Sequence, residues 1–424
     1  MPRPSAFIVP MLALLLPVFT IAQDITATQD HFQGDFPPLH YGADETQIEA
    51  TAQAVIERVF RDEDGFLRGS VNGRTMKPLT PEDVKERPDG RGGRVEHAAI
   101  PNALKPVFMN YENAGEASGA YLVALCLKAQ AAGDPSTREL ARRTVAAIVM
   151  LWNNAAAAQG LGGGGRGWFP KPYGGIRNVA GIEECSADQY ADITLGLHAY
   201  HRTLATAEEK RQIEDIIVSF SDWWHDHDHS GVYFGRPIWW KRLDWHPMAA
   251  AYFLYLHALA ETCRPGDKSK RSFEAWLQLK DTLQHPDKPI GATMHGIPLL
   301  CLNELRTLRP DLDTVWMPAI RHQAELLARG LDEADEIQRY EMNAYCANYF
   351  ALAHTLVPDA NYDQLARRGL AAIKDRAHFY HLRRGQPLAK LSPFVRGDDY
   401  RDAFWCENHV HYLAAYWRLR AGKP

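Results

Sequence analysis

The stretch "PMAAAYFLYLHALAETC" (residues 247–263) has small or apolar residues on every side of the helix that it would form. A helix without a polar face must be enclosed by protein all round. The stretch "AEEKRQIEDIIVSFSDWW" (207–224) differs, because Ile213, Ile217 and Phe220 recur at three- and four-residue spacing with charged residues opposite. That pattern is typical of a helix that packs on a core with one face only. The two stretches therefore predict an inner and an outer helix.

Both kinds of segment recur along the chain. The one-faced segments are 44–61, 136–157, 207–224, 270–283, 313–330 and 361–376, and the enclosed segments are 113–131, 187–204, 247–263, 295–308, 342–356 and 404–419. Six exposed-face helices that alternate with six enclosed ones predict an all-α double ring, an inner barrel of helices inside an outer one. The connections 60–69 and 224–235 share acids, glycines and aromatic residues, which predicts short β-hairpins at one end of the ring.

Outer–inner helix pairs joined by aromatic, Gly-rich turns resemble the six-hairpin glycosidase superfamily, the (α/α)6 toroids. The resemblance covers about residues 44–420 and rests on architecture more than on a diagnostic motif. It implies a carbohydrate-active enzyme, since the superfamily includes glycoside hydrolases, polysaccharide lyases and sugar epimerases. It also implies a site in the mouth of the ring, at the end where the inner helices start, although a fold alone does not fix chemistry.

The first 22 residues have the pattern of an export signal, with Arg3, an apolar stretch 7–19 and small residues before Gln23. The apolar stretch is too short to span a bilayer comfortably. We therefore expect a periplasmic or secreted protein, with an extended lead-in over 23–43 and one toroid domain over 44–424. Export permits disulfides, but the six cysteines are widely spaced and the sequence does not select a pairing. Buried free thiols are equally compatible with the sequence.

Several classes of function find no support in the sequence. The net charge of −5 and the absence of a basic stripe argue against a nucleic-acid partner. Nucleophile elbows, phosphate loops, metalloprotease motifs and dinucleotide-binding fingerprints are missing. The stretch "DHDHSG" (226–231) resembles half a calcium loop, but Pro237 stands where the loop needs an acid. We expect no metal or cofactor, a saccharide as partner and no membrane association after signal cleavage; the oligomeric state stays open.

Polar and aromatic residues surround the predicted starts of the inner helices. They form groups at 110–113, 183–189, 242–246, 294–295, 339–343 and 398–409. If the ring closes, these groups meet in one cavity. Carboxylic acids can protonate a leaving oxygen or activate water, and flat rings stack on sugars.

Hydrolysis of a glycosidic bond is the first hypothesis, with Asp188 and Glu341 as acid and base and Asp244 or Glu184 as substitutes. In this reading Gln189 also binds substrate. The local alternative is that Ser186 and Gln189 form a capping box at the helix start. Asp188 and Glu184 would then only complement the helix dipole.

Elimination by a polysaccharide lyase is the second hypothesis. It needs a group that neutralises a uronate and a tyrosine or histidine that moves the proton. The candidates are Arg339, Tyr345, His246, His295, Asn343 and His409. A non-catalytic glycan-binding protein is the third hypothesis.

The stretch "GRPIWWKRLDWHPM" (235–248) mixes three indoles with cations directly after a Gly-rich turn. Such a mixture favours a sugar subsite over a buried core, and an Arg or Lys there favours a uronic-acid-containing substrate. A surface loop with amphipathic packing is the alternative. The candidate substrate-binding residues in this stretch are Arg236, Trp239, Trp240, Lys241 and Trp245, with Asp244 and His246 as catalytic candidates.

Overall fold

A computed structural model describes residues 44–72, 75–78, 110–158, 165–233, 236–243, 245–334, 336–358, 360–373 and 403–421. The predicted export signal and lead-in, together with Asp244, lie outside these ranges. For Arg236 and for residues 336–341 the structure describes the backbone only.

Twelve α-helices occupy the described ranges. In chain order they are α1 (Glu45–Val55), α2 (Ala114–Ala132), α3 (Pro135–Ala157), α4 (Ala187–Thr203), α5 (Ala207–Asp226), α6 (Pro247–Cys263), α7 (Asp267–Leu277), α8 (Ala292–Leu308), α9 (Asp313–Glu333), α10 (Glu336–Leu356), α11 (Ala360–Ala372) and α12 (Cys406–Ala421). A short π-helix (Ile56–Phe60) continues α1. None of the described helices is long and apolar enough to cross a membrane.

The even-numbered helices form the inner ring. Each contacts the next, and α12 closes the ring by packing on α2. The odd-numbered helices lie outside and pack between inner neighbours; α9, for example, contacts both α8 and α10. Every residue of α6 from Pro247 to Ala260 is buried, whereas α5 buries one face only. The predicted double ring is confirmed.

The start of the outer helix α5 shows how local sequence fixes where a helix begins. The Thr206 Oγ1 atom accepts a hydrogen bond from the backbone N–H of Glu209 at 3.3 Å, and Glu209 Oε2 accepts one from the N–H of Thr206 at 2.8 Å. This reciprocal pair satisfies two N–H groups that the helix itself leaves unpaired, a contribution of about 1 kcal/mol.

Four short strands lie at the end of the ring where the inner helices begin. They are β1 (Ser70–Asn72), β2 (Ser230–Tyr233), β3 (Arg236–Trp239) and β4 (Ala403–Trp405). β2 and β3 form an antiparallel hairpin with Tyr233 opposite Arg236, which confirms the hairpin predicted at 224–235. β1 pairs with β4, so the first hairpin region is tied to the strand that leads into the last inner helix.

All six cysteines lie within the described ranges, and each is a free thiol. Cys263 is half-buried, and the other five are buried. The structure therefore agrees with the reading of buried thiols inside apolar helices, and disulfides do not staple the ring.

Candidate active site

A cleft of about 290 Å³ opens where the inner helices start. Five of the six inner helices or their lead-ins contribute to its lining, and the β2–β3 hairpin adds a tyrosine ring. The lining residues are Glu112, Asn113, Glu116, Asp188, Tyr233, Ala292, Thr293, Met342, Tyr345, Trp405, Glu407 and Asn408. The predicted convergence of helix starts on one cavity is therefore present, although its members differ in part from the predicted set.

Glycines bring α2 and α4 unusually close together beneath the cleft. A Cβ atom on Gly119 would overlap the backbone of Asp192, and one on Gly115 would lie 2.7 Å from Gln189 Oε1. Gly196 on α4 faces Gly119 in turn, because a Cβ there would lie 2.6 Å from its carbonyl oxygen. Since small residues let helix backbones approach directly, Glu116 of α2 is held against the face of α4 that carries Asp188.

Glu116 is the most unusual acid of the cleft. It is 4% exposed, and its Oε1 atom has no hydrogen-bond partner among the described residues. Burial raises the pKa of Glu116 well above its ordinary value, and the negative charges of Glu407, Asp192 and Asp188 raise it further. Such surroundings favour the protonated form of a carboxylic acid, which is the form that can donate a proton.

Asp188 lies in the first turn of α4 and is only partly buried. Its Oδ1 atom accepts a hydrogen bond from the backbone N–H of Gln189 at 2.8 Å. The capping-box alternative is wrong: the Ser186 side chain caps nothing, and Gln189 Nε2 donates instead to the backbone carbonyl of Glu112. Asp188 thus lines the cleft as an accessible carboxylate, while Gln189 is a buried tie between α4 and the start of α2.

Tyr345 and Glu407 form a second pair in the lining. The Tyr345 hydroxyl donates a hydrogen bond to Glu407 Oε2. Burial and then the charges of Glu407 and Glu116 raise the pKa of Tyr345 well above its ordinary value. The hydroxyl therefore favours its protonated form and donates a hydrogen bond, so it does not act as a base.

A buried lysine supports the wall of the cleft from behind. Lys171 Nζ lies 3.5 Å from Glu112 Oε1 and 3.6 Å from Glu184 Oε1, and it lies 5.2 Å from the centre of the Tyr233 ring. Burial alone would lower the pKa of Lys171, but the charges of Glu112 and Glu184, with Tyr233, raise it overall. Glu184 is fully buried in this group, so it serves the wall and does not line the cleft.

Neither models of protein families nor curated proteins match this sequence. Among solved structures, the chain is similar to an unsaturated glucuronyl hydrolase specific for heparin, with 11% identity, a TM-score of 0.50 and coverage of 89% of this chain and 96% of that one. The chain therefore has an (α/α)6 toroid fold. It also resembles a sugar epimerase from a ruminal bacterium, with 11% identity, a TM-score of 0.47 and coverage of 88% and 99%.

The toroid holds the three predicted site histidines in structural positions outside the cleft lining. His246 precedes α6, and its Nδ1 atom accepts a hydrogen bond from the N–H of Ala249 at 3.2 Å. Burial lowers the pKa of His246 to about 4 although the charge of Asp188 acts in the other direction, so Asp188 is within electrostatic reach.

His295 and His409 both make local contacts within the protein. His295 Nδ1 lies 2.7 Å from Gln323 Oε1, and its Nε2 accepts from the N–H of Ile290 at 3.1 Å. His409 Nδ1 lies 2.8 Å from the carbonyl of Trp405, and its ring packs against Phe404 with 4.8 Å between centroids. Both ring nitrogens of His295 are engaged within the protein, which does not agree with its prediction as a substrate ligand, whereas the role of His409 stays a prediction.

The segment 235–248 divides into a buried and an exposed part. Trp240 is 3% exposed and packs on His246, which contradicts its prediction as a sugar platform. Trp239 and Trp245 are 41% and 50% exposed, so both rings reach the surface. Lys241 pairs with Asp228 at 3.0 Å, and the Arg242 guanidinium lies 4.9 Å from the centre of the Trp239 ring.

For several predicted site residues the structure does not describe the position of the side chain. Asp244 lies outside the described residues, and the side chains of Arg236, Arg339 and Glu341 are not described. Glu341 and Arg339 belong to the first turns of α10, the helix whose Met342 and Tyr345 line the cleft. Asn343 is half-buried on the same helix and is not part of the lining.

Two important acids, Glu116 and Asp192, were absent from the sequence prediction. Glu116 is the one acid of α2, in "NAGEASGAYLVALCL" (113–127), and Asp192 lies beyond the first turn of α4, in "YADITLGLHAY" (190–200). An acid in a segment that must be buried on all sides is itself a functional signal, because a buried charge is unfavourable unless it is paired or neutralised.

Proposed function

We propose that this chain is a carbohydrate-active enzyme that hydrolyses glycosidic bonds, with Glu116 as the proton donor and Asp188 as the partner carboxylate. One observation carries the proposal: the buried carboxyl group of Glu116, whose pKa burial raises, and the partly exposed carboxyl group of Asp188 line the same cleft. Glycoside hydrolysis uses two carboxyl groups, one of which is kept protonated by its surroundings.

The reaction follows from these positions. The protonated Glu116 gives its proton to the glycosidic oxygen as the bond to the sugar carbon breaks, and the leaving sugar departs as an alcohol. Asp188 stabilises the positive charge that develops on the sugar ring. It then either removes a proton from the incoming water, which attacks the sugar carbon, or bonds to that carbon itself until water displaces it. The Tyr345–Glu407 pair and the amides of Asn113 and Asn408 are placed to bind sugar hydroxyls. Glu341 stays a candidate for the base.

The lyase hypothesis finds less support from the described side chains. A β-elimination needs a group that can remove a proton next to the uronate carboxyl. Tyr345 has a raised pKa and donates to Glu407, which makes it a poor base. The ring nitrogens of His295 already engage Gln323 and Ile290. These contacts favour hydrolysis.

The charge of the substrate is the finer part of the proposal. Within the described lining the ionisable acids are Glu112, Glu116, Asp188 and Glu407, and no Lys or Arg side chain lies among them. A uronate is therefore better placed at the rim, on the hairpin whose Tyr233 reaches the cleft. There Arg242 is exposed, stacks on Trp239 and has no ion-pair partner among the described residues. An aromatic face beside a free guanidinium suits an acidic sugar.

The place of action is part of the same proposal. Residues 1–22 have the pattern of an export signal, and an exported enzyme meets saccharides outside the cytoplasm. Detection of a mature chain that begins near residue 23 in the periplasm or medium would test this.

The decisive experiment is a panel of neutral and uronate-containing oligosaccharides, in which both reducing ends and ultraviolet absorbance are followed. Hydrolysis releases reducing ends without new absorbance, whereas elimination creates an absorbing double bond. A glycan-binding protein without activity leaves every oligosaccharide intact while still retaining some of them. Reducing ends that appear with the wild-type chain and disappear with Glu116→Gln would support the proposal; products with new absorbance would contradict it.

A further inference from the structure

A chain of polar side chains joins α10 and α12 below the cleft, and the proposed reaction does not use it. The Arg418 guanidinium donates through Nε to Asn348 Oδ1 at 3.0 Å, and Asn348 Nδ2 lies 3.0 Å from His411 Nδ1. Asn348 and His411 are 2% and 1% exposed. Such a chain needs a reason, because apolar residues of similar size are often favoured for stability alone.

The chemistry of these contacts decides which nitrogen of His411 carries a proton. A guanidinium only donates hydrogen bonds, so the Asn348 atom that faces Arg418 must be the amide oxygen. The amide nitrogen then faces His411, and since it too only donates, His411 Nδ1 must be the acceptor. His411 is therefore uncharged, with its proton on Nε2. Burial lowers the pKa of His411 to about 3, which favours the same uncharged form.

The His411 ring lies directly against a tyrosine of the cleft lining. Its centroid is 4.1 Å from that of Tyr345 and 5.4 Å from that of Tyr349, so it packs on two rings of α10. The Tyr345 hydroxyl donates a hydrogen bond to Glu407, which precedes His411 by four residues on α12. Glu407 and His411 thus share a face of α12, and both contact the same tyrosine.

Two levels of contact, one helical turn apart, therefore join α10 to α12. Tyr345 and Glu407 form the level in the cleft, and Asn348 and His411 form the level below it. Arg418 follows His411 by seven residues, on the same face of α12, and fixes the orientation of the Asn348 amide. While the amide is held in this way, the other tautomer of His411 would place a ring N–H opposite an amide N–H and lose the hydrogen bond.

We propose that Arg418 and Asn348 are positioning residues that hold His411 as the uncharged Nε2–H tautomer against Tyr345 and so keep the Tyr345 hydroxyl on Glu407. The inference rests on the proposed function, in which the Tyr345–Glu407 pair binds sugar hydroxyls. A ring held in one tautomer supports the tyrosine in one position, so the hydroxyl is oriented before the substrate arrives. A charged imidazole in the same place would attract the Glu407 carboxylate, one turn away, and weaken this arrangement.

Nitrogen-15 NMR of histidine-labelled protein tests the tautomer without a substrate, because protonated and unprotonated ring nitrogens give separate signals. The His411 signals, assigned by their absence from His411→Gln, should show an unprotonated Nδ1 at neutral pH. In Asn348→Asp the carboxylate still accepts from Arg418 but cannot donate, so Nδ1 should take a proton. Asn154→Asp is the control: this α3 amide donates to the Ile176 carbonyl at 2.8 Å, and its replacement should leave the His411 signals in place.

The split between KM and kcat tests the effect on the cleft. If the Tyr345 hydroxyl loses its fixed position in Asn348→Asp, KM for a cleaved oligosaccharide should rise about fivefold or more, with kcat within roughly threefold of the wild type. The ring signals of Tyr345, assigned through Tyr345→Phe, should shift in the same variant. A merely structural role of Asn348 would lower the melting temperature and leave KM and these ring signals unchanged, as we expect for Asn154→Asp.

The outcomes separate this inference from the proposed function. A protonated Nδ1 in the wild type, or Tyr345 signals and a KM that Asn348→Asp leaves in place, would overturn the positioning role even if the chain hydrolyses sugars. The expected nitrogen and ring signals without turnover of any saccharide would support that role and contradict the proposed function. If Asn348→Asp does not fold, Arg418→Met frees the Asn348 amide to turn. His411 should then show both tautomers, and a single unchanged tautomer would overturn the role of Arg418.

Discussion

Carboxylates at the starts of α2, α4 and α12 and histidines at the starts of α6, α8 and α12 occupy equivalent places in the toroid, yet they behave oppositely. The carboxylates Glu116, Asp188 and Glu407 line the cleft. The histidines are engaged with their own helix ends or with neighbouring loops, as His246 and His295 show. Position at a helix start therefore does not decide function; the hydrogen bonds that remain to be made do.

Burial acts on both groups in the same way but with different consequences. It favours the uncharged form, so it lowers the pKa of His409 to about 3 and raises that of Glu116. Both ring nitrogens of the His295 imidazole are already engaged, so this ring has nothing left for a substrate. An uncharged carboxylic acid with an unpartnered oxygen still holds a proton that it can give away. The difference suggests that candidate site residues are better ranked by the hydrogen bonds that they can still make than by residue type.

The largest effect is expected for Glu116→Gln. The amide keeps the shape of the side chain but has no acidic proton, so kcat should fall by about 10²- to 10⁴-fold. The fold should persist, because the uncharged acid is already the favoured form in the folded chain. Steady-state kinetics together with circular dichroism would measure both. A loss of less than about tenfold would remove Glu116 from the role of proton donor.

Asp188→Asn should have the next largest effect. If Asp188 acts on the developing charge at the sugar, kcat should fall by about a hundredfold or more with unchanged secondary structure. If the carboxylate only complements the start of α4, stability should fall by about 1 kcal/mol and turnover should be kept. Kinetics and urea unfolding on the same preparation distinguish these results.

His295→Leu tests the other side of the comparison. The change leaves the Gln323 amide oxygen and the Ile290 N–H without their partner, and each buried group left unsatisfied destabilises the fold by about 1–3 kcal/mol. We expect a lower free energy of unfolding with kcat within roughly threefold of the wild type. A hundredfold loss of kcat in a chain of normal stability would contradict the structural role of His295 and indicate that it takes part in the reaction.

The sequence predicted the architecture well because enclosure is visible in it. Helices such as α6 have no polar face, and only a closed inner ring buries them completely. Of the predicted site residues whose side chains are described, Asp188 and Tyr345 line the cleft, whereas Trp240 belongs to the core. Whether a side chain faces the cleft or the core depends on the angular position of its residue around the helix or turn. That position is set by contacts such as Gly119 against Asp192, which come from distant parts of the chain.

Trp245→Ala is expected to have the smallest effect and extends the comparison to an exposed ring just before α6. Half of the Trp245 side chain is exposed, so its removal leaves stability nearly unchanged. If its face carries a sugar, KM for oligosaccharides should rise about fivefold, the equivalent of ~1 kcal/mol of stacking, while kcat is kept. Trp240→Phe is the matched control: this buried ring contacts His246, so the change should lower the melting temperature and leave KM alone. An unchanged KM in Trp245→Ala would restrict sugar binding to the cleft itself, and the exposed indole would then have no part in the reaction.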